Sequence, residues 1–220
     1  GVGLPEAAPA DVRRLSTRAR GPVARALRKY FTKRSHFIDR KFGYQPELLR
    51  LAGDRYFEGY WQSEKYFAPI AGEVRARLAF RPPMSERNLE LLRSLRRPVA
   101  SIHVRRGDYQ VHPNLDICGP AYFERAARAL DGSAASFLVL SEDIGYCRSS
   151  IDLGGKPVEY ADWNTGEDSW QDMALMSLCD HNVIANSSFS WWGAWLNPRP
   201  GKRVIAPSYW NRREIEDKDS

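Results

Sequence analysis

From residue 97 onward, apolar residues fall in short runs rich in Val, Ile and Leu, separated by stretches of helical period. That alternation is the pattern of βαβ units around a parallel sheet. Strands are expected at Pro98–Val104, Ser136–Leu140, Pro157–Tyr160, Asn182–Ala185 and Arg203–Ala206. Between the first two, Gly119-Pro120 opens a helix that places Tyr122, Phe123, Ala126, Ala127 and Leu130 on one face. A second helix follows Ser169 and carries Ala174, Leu175 and Leu178, and a third follows Ser187-Ser188 and carries Trp191, Trp192, Ala194, Trp195 and Leu196. Five strands with these crossovers predict an α/β, Rossmann-like lobe over residues 97–210.

Residues 35–96 are mixed as well. An aromatic strand is expected at Tyr56–Trp61, an amphipathic helix from Glu64 to Phe80, a break at Pro82-Pro83 and a helix from Ser85 to Leu95. They form part of a second α/β lobe, on the N-terminal side. Because this segment is short for a complete lobe and the chain starts at Gly1, we expect further sequence upstream. An acidic tail occupies 211–220.

Charge divides the chain further. The net charge is +6, yet residues 1–34 hold nine Arg or Lys against Glu6 and Asp11, so the excess lies in a basic helical arm. Such an arm suits peripheral contact with an anionic membrane face; as evidence for a nucleic-acid partner it is weak, and none is expected. No apolar run reaches the roughly 18–20 residues of a membrane-spanning helix, and the charged first 20 residues do not resemble a secretory leader. A cytoplasmic protein, peripheral at the inner face of the membrane, is the expectation. Cys118, Cys147 and Cys179 are widely spaced and odd in number, which points to reduced structural thiols.

Candidate chemistry clusters where strands end, the edge at which open α/β sheets bind ligands. His103-Val104-Arg105-Arg106-Gly107-Asp108-Tyr109 closes the first strand of the lobe. Adjacent guanidinium groups there fit a diphosphate through bidentate, charge-assisted hydrogen bonds, with Asp108 holding an arginine in register. An Arg–Asp cluster that merely caps the strand is the ordinary alternative. Asn186-Ser187-Ser188-Phe189 lies between a strand and a helix, a place suited equally to a phosphate site and to a plain serine N-cap. Asp172 could accept N–H bonds from a guanine edge or simply complement a helix dipole, and Ser141-Glu142-Asp143 follows another strand. G-x-x-x-x-G-K-[ST], G-x-G-x-x-G and H-E-x-x-H motifs are absent, and the one D-x-D triplet, Asp217-Lys218-Asp219, lies in the acidic tail. No metal site and no cofactor are expected.

These residues resemble a family. His103–Tyr109 is similar to the HxRRGDY motif of the bacterial α-1,2-fucosyltransferases, Leu138–Asp143 resembles their second motif, and Asp172–Trp195 their third. Gly59–Phe67 resembles their N-terminal lobe. The resemblance implies a GT-B architecture whose C-terminal lobe holds the donor. It implies inverting, metal-independent transfer from GDP-fucose, with Arg105 on the diphosphate, Arg106 assisting and His103 near the nucleotide. Asp172 would read guanine, with Asn186, Ser187, Ser188 and Phe189 around the phosphates and nucleoside and Asp143 as a further donor contact. Asp108, His112 and Asp116 are candidates for the general base; Arg105 and Asp108 are taken as the catalytic pair. The acceptor would be the 2-OH of a galactosyl residue on a glycan or lipid-linked oligosaccharide. Family members begin with a glycine-rich G-x-x-GNQ-F-Q-Y segment that this chain lacks, so a GDP-sugar-binding module without turnover is the alternative.

Overall fold

The computed structural model describes residues 5–17, 23, 32–39, 43–81 and 83–212. Residues 1–4, 18–22 and 24–31 of the basic helical arm expected over 1–34, Pro82 of the expected Pro82-Pro83 break and the acidic tail from residue 213 lie outside the described residues. The chain divides into two compact units, Gly1–Ala79 and Phe80–Ser220. Among the described residues no helix is long and apolar enough to cross a membrane.

The first unit holds helix α1 (Pro9–Leu15) and a parallel pair, β1 (His36–Ile38) and β2 (Tyr56–Glu58). The expected strand stops at Glu58 because the chain then turns: Trp61 takes φ 50, and a side chain on Gly59 would collide with Asp39. The continuous helix expected over Glu64–Phe80 is replaced by short 3-10 turns at Glu64–Tyr66 and Ala68–Ile70, with α2 limited to Ala71–Arg77. Pro69 explains the difference, since it lacks an N–H and its ring clashes with the preceding turn of an α-helix. Phe37, Phe57, Trp61 and Tyr66 pack edge to face or tilted around the short strands.

The second unit begins with α3 (Glu86–Ser94), which therefore groups with the sheet rather than with residues 35–79. β3 (Val99–Val104), α4 (Pro120–Ala129), β4 (Ser136–Ser141), α5 (Ile144–Ser150) and β5 (Val158–Ala161) follow. The chain then adds α6 (Trp170–Leu178), β6 (His181–Val183), α7 (Ser188–Leu196) and β7 (Val204–Ile205). All five strands are parallel, in the order β5-β4-β3-β6-β7.

Every residue of β3 and β4 is buried, as expected where helices cover both faces of a parallel sheet. Alternation sorts the side chains. Ala100, Ile102 and Val104 join Phe137 and Val139 under Phe123, Ala127 and Leu130 around α4 and Ile144 and Cys147 of α5. Val99, Leu138 and Leu140 turn the other way, onto Leu91 and Leu95, Leu175 and Met176 of α6, and Ala194 of α7. Each large apolar side chain removed from water contributes about 1.5–3 kcal/mol, which fixes the register of both faces. The period of 2 along β3 also puts Ser101 and His103 on the α6 and α7 side.

Candidate active site

The strand order reverses between β3 and β6. β4 and β5 extend the sheet to one side of β3, and β6 and β7 to the other. At such a switch point the loops leaving the two strands diverge and open a crevice at their carboxyl ends. β3 feeds the Arg105-Arg106 loop into it, and β6 feeds Asn186-Ser187-Ser188 into α7.

The two loops touch. The Tyr109 hydroxyl donates to the Asn186 carbonyl at 3.1 Å, and the His103 ring packs on Phe189 with centroids 5.2 Å apart. His103 is buried and its Nδ1 has no hydrogen-bond partner. Burial, and to a smaller extent the Arg105 charge, lower its pKa to about 3, so the imidazole is neutral. A buried polar nitrogen without a partner is costly unless a ligand meets it.

Arg105 is held by acids. Its Nη2 donates to Asp108 Oδ1 at 2.6 Å, its Nη1 lies 3.5 Å from Glu142 Oε1, and the guanidinium sits 5.4 Å from the Tyr109 ring centroid. Arg106 lies flat on Tyr146 at 3.6 Å, donates from Nη2 to Gln110 at 3.0 Å, and gives its backbone N–H to Glu142 Oε1 at 2.9 Å. Its Nε is buried, 3.6 Å from Asp143 Oδ2, beyond hydrogen-bond reach. The loop turns at Gly107, with φ 25, where a Cβ would meet Glu142 Oε1 at 2.7 Å. Arg105 thus keeps its guanidinium partly exposed at the crevice, whereas Arg106 is committed to the loop.

On the β6 side, Ser187 is the N-cap residue of α7 but makes no side-chain capping bond, so its hydroxyl leaves the first-turn N–H groups to other acceptors. Ser188 is exposed and Ser187 buried. Asn186 holds loops together, because its amide donates to the Leu115 and Trp210 carbonyls, both at 2.9 Å, and so ties the loop after β3 and the chain after β7 to the end of β6. Asp143 is likewise engaged, as the N-cap of α5, accepting from the Tyr146 N–H at 3.0 Å.

Asp172 stands in the first turn of α6, at the same carboxyl edge of the sheet. Burial raises its pKa to about 6, against the lowering effect of a 2.7 Å bond from Asn164 Nδ2, and nearby Glu142 raises it further. The structure therefore gathers His103, Arg105, Arg106, Asp108, Ser187, Ser188, Phe189 and Asp172 along one sheet edge. His112 and Asp116 lie exposed on the same loop. Glu142 is the residue that sequence reasoning underused. It ties Arg105, the Arg106 backbone and the Gly107 turn together, and its place directly after an apolar strand was the available signal. Among the described residues no group of three or more His, Cys, Asp or Glu is placed to hold a metal ion.

Comparison with known proteins agrees with this geometry. A family model described as Glycosyl transferase family 11 matches residues 27–220. The chain is 34% identical over 178 residues to an alpha-1,2-colitosyltransferase of Escherichia coli, covering 74% of this chain and 59% of that protein. It is 37% identical over 117 residues to the O-antigen biosynthesis glycosyltransferase WbnK of Escherichia coli, covering 50% and 38%. It is 29% identical over 153 residues to galactoside alpha-(1,2)-fucosyltransferase 1 of Leontocebus fuscicollis, covering 63% and 42%. The chain thus spans only part of the length of these relatives. Among solved structures, POFUT1 in complex with GDP superposes with a TM-score of 0.50 at 12% identity, over 71% of this chain and 55% of that one. This is a likeness of fold, and the class is GT-B-like α/β. Since the family match runs through both strands that open the crevice and through every side chain gathered there, the chain belongs to glycosyl transferase family 11.

Proposed function

We propose that this chain binds GDP-fucose at the β3/β6 crevice and transfers the fucosyl group, with inversion and without a metal ion, to the 2-OH of a galactosyl residue on a glycan acceptor. The observation that carries the reading is the contact between the loop bearing the partly exposed Arg105 and the loop that opens α7, made through Tyr109 and Asn186 and through the His103 ring, whose buried Nδ1 lacks a partner, on Phe189. In this reading Arg105 and the α7 N–H groups receive the diphosphate, Asp108 orients the guanidinium, and Arg106 stiffens the loop from its seat on Tyr146. Asp172 accepts from the guanine edge, and Phe189 and His103 flank the nucleotide.

The acceptor oxygen attacks the anomeric carbon from the face opposite GDP. The bond from that carbon to the phosphate oxygen breaks, its electron pair leaves with GDP, and the acceptor proton passes to a base. Charge grows on the leaving diphosphate in the transition state, where a preorganised donor contributes about 3–4 kcal/mol. Arg105→Ala is therefore expected to lower turnover by a factor of about 100 or more. Calorimetric titration with GDP-fucose, together with transfer to lactose in the presence of a chelator, tests the reading. Transfer by Arg105→Ala at the wild-type rate, or loss of wild-type transfer on chelation, refutes it. The basic residues 1–34 suit an anionic membrane face carrying a lipid-linked acceptor, and vesicles containing phosphatidylserine measure that contact directly.

A further inference from the structure

Behind the crevice lies a buried polar network of residues outside the donor site that ends on the Asp172 carboxylate. Asn88 is fully buried on α3, and Asn164 and Gln171 are 7% and 5% exposed. They sit beside a core of Leu91, Leu95 and Leu175 that needs no polar group for its packing. Desolvating three amides is unfavourable unless every donor and acceptor is met. Here they are met in one direction only.

The indole Nε1 of Trp163 can only donate, and it donates to Asn88 Oδ1 at 2.8 Å. That contact fixes which way the Asn88 amide faces. Its Nδ2 must then supply Asn164 Oδ1 and Gln171 Oε1, both at 2.8 Å. Gln171 Oε1 also accepts the Ser85 backbone N–H at 2.8 Å, which fixes the Gln171 amide as well, and its Nε2 donates to Asp168 at 3.1 Å. With its oxygen turned to Asn88, Asn164 must present Nδ2 to Asp172 Oδ1, at 2.7 Å. Donor-only groups stand at one end of the network and carboxylates at the other, so no amide can flip without breaking a bond. The Arg87 guanidinium covers the Trp163 ring at 3.7 Å.

Asn164 follows the carboxyl end of β5 and Asp172 opens α6, so the network ends at the sheet edge where the two donor loops meet. Only Oδ1 of Asp172 is engaged by Asn164, which leaves Oδ2 without a partner among the described residues. A carboxylate held in this way faces a ligand as a pure acceptor. A guanine edge, with N1–H and the 2-amino group side by side, offers two matching donors; hypoxanthine offers one and adenine has a different pattern.

We propose that Trp163, Asn88 and Asn164 form a hydrogen-bond chain of fixed polarity that positions the Asp172 carboxylate, so that this chain sets the preference for a guanine nucleotide. The inference rests on the GDP-sugar reading above. Asn164, Asn88 and Trp163 are positioning residues, and none touches the nucleotide.

The test compares GDP, IDP and ADP binding by calorimetry for the wild type, Asn164→Ala and Trp163→Phe, each checked for its fold by circular dichroism. Trp163→Phe keeps an aromatic ring under Arg87 and removes the N–H donor that sets the polarity, so it covers the case in which Asn164→Ala fails to fold. In the wild type GDP is expected to bind at least about 10-fold more tightly than IDP, since a bidentate contact discriminates by that order. In both variants the GDP/IDP ratio falls toward 1, because GDP loses two contacts to the carboxylate and IDP only one. A readout that does not need the ligand is the titration of Asp172 followed by carboxylate NMR. Its midpoint, about 6 in the wild type, moves upward in Asn164→Ala because a donor that favours the anion is gone. Folded variants that keep the wild-type ratio and midpoint overturn the positioning chain and leave the GDP-sugar reading standing. A wild type that binds no GDP overturns both.

Discussion

Asp172→Asn separates what the fold prefers from what the site needs. The substitution keeps the shape of the side chain and an oxygen for Asn164 Nδ2, and removes the charge. In the native chain burial lifts the Asp172 pKa from the ordinary 3.8 to about 6. A tenfold change in proton affinity corresponds to about 1.36 kcal/mol, so the buried charge destabilises the protein by up to about 3 kcal/mol at neutral pH, and by about 1–3 once its remaining hydration is allowed for. The sign follows from proton counting. Between pH 3.8 and about 6 the native state binds more protons at Asp172 than the unfolded chain does, so stability falls as pH rises through that window. The asparagine variant lacks this loss. It is expected to match the wild type at pH 3.5 and to exceed it by about 1–3 kcal/mol at pH 8. Urea unfolding followed by tryptophan fluorescence measures the difference, because six of the seven tryptophans lie beyond Ala79 and report on the second unit. The same variant loses GDP affinity at pH 8. Equal stability at pH 8, or a gain independent of pH, refutes the account of Asp172 as a charge retained at the expense of the fold.

The Arg105→Ala turnover measurement and the GDP/IDP comparison stand beside one packing prediction. On Gly193, where α7 crosses α6, a Cβ would lie 2.8 Å from Met176 Sδ and 3.0 Å from its Cβ. Gly193→Ala should destabilise the second unit by about 1–2 kcal/mol, overpacking outweighing the helix-propensity gain of about 1 kcal/mol. A double-mutant cycle with Met176→Ala checks the cause, since the two changes should offset each other by about 1 kcal/mol, and strict additivity rules the contact out.

How much of this was legible in the sequence depended on how far apart the interacting residues are. β3 and β4 stood out because central parallel strands covered on both faces read as unbroken apolar runs. α4 showed itself through Phe123, Ala126, Ala127 and Leu130 at helical spacing, all buried. α5 did not, since its seven residues offer barely two turns. Asp143 caps it and the Asn186 amide secures two loops, structural duties that neither residue's place in the sequence announces. Long-range partners leave no periodic trace. Trp163 and Asn88 are 75 residues apart and Asn164 and Asn88 are 76 apart. Nothing in hydropathy or spacing marks those positions, and only the fold brings their amides together at the Asp172 carboxylate.

The sequence left two readings of the adjacent arginines, an anion site and an Arg–Asp cluster that caps the strand, and the structure shows them facing Asp108, Glu142 and Asp143. In the GDP-sugar reading a diphosphate would therefore replace carboxylates at Arg105 rather than find a bare cation, and Gly107 shows which part of this arrangement matters more. A side chain there would displace Glu142 Oε1, the atom that both approaches Arg105 and accepts the Arg106 backbone N–H. Releasing Arg105 from a partly exposed ion pair at 3.5 Å gains less than about 1 kcal/mol. Losing the solvent-exposed Arg106 N–H bond costs about 0.5–1.5 kcal/mol, and placing alanine at φ 25 adds about 1 kcal/mol, a net of about 1–2 kcal/mol. The loss wins, so Gly107→Ala should weaken GDP binding by roughly 5- to 30-fold. Glu142→Gln keeps the Oε1 acceptor and removes the competing charge, and should bind GDP at least as tightly as the wild type. Calorimetry on the two variants reads both effects. Unchanged affinity in Gly107→Ala would refute the role of this turn in presenting Arg105, and a large loss in Glu142→Gln would mean that Glu142 serves the ligand directly and not the loop.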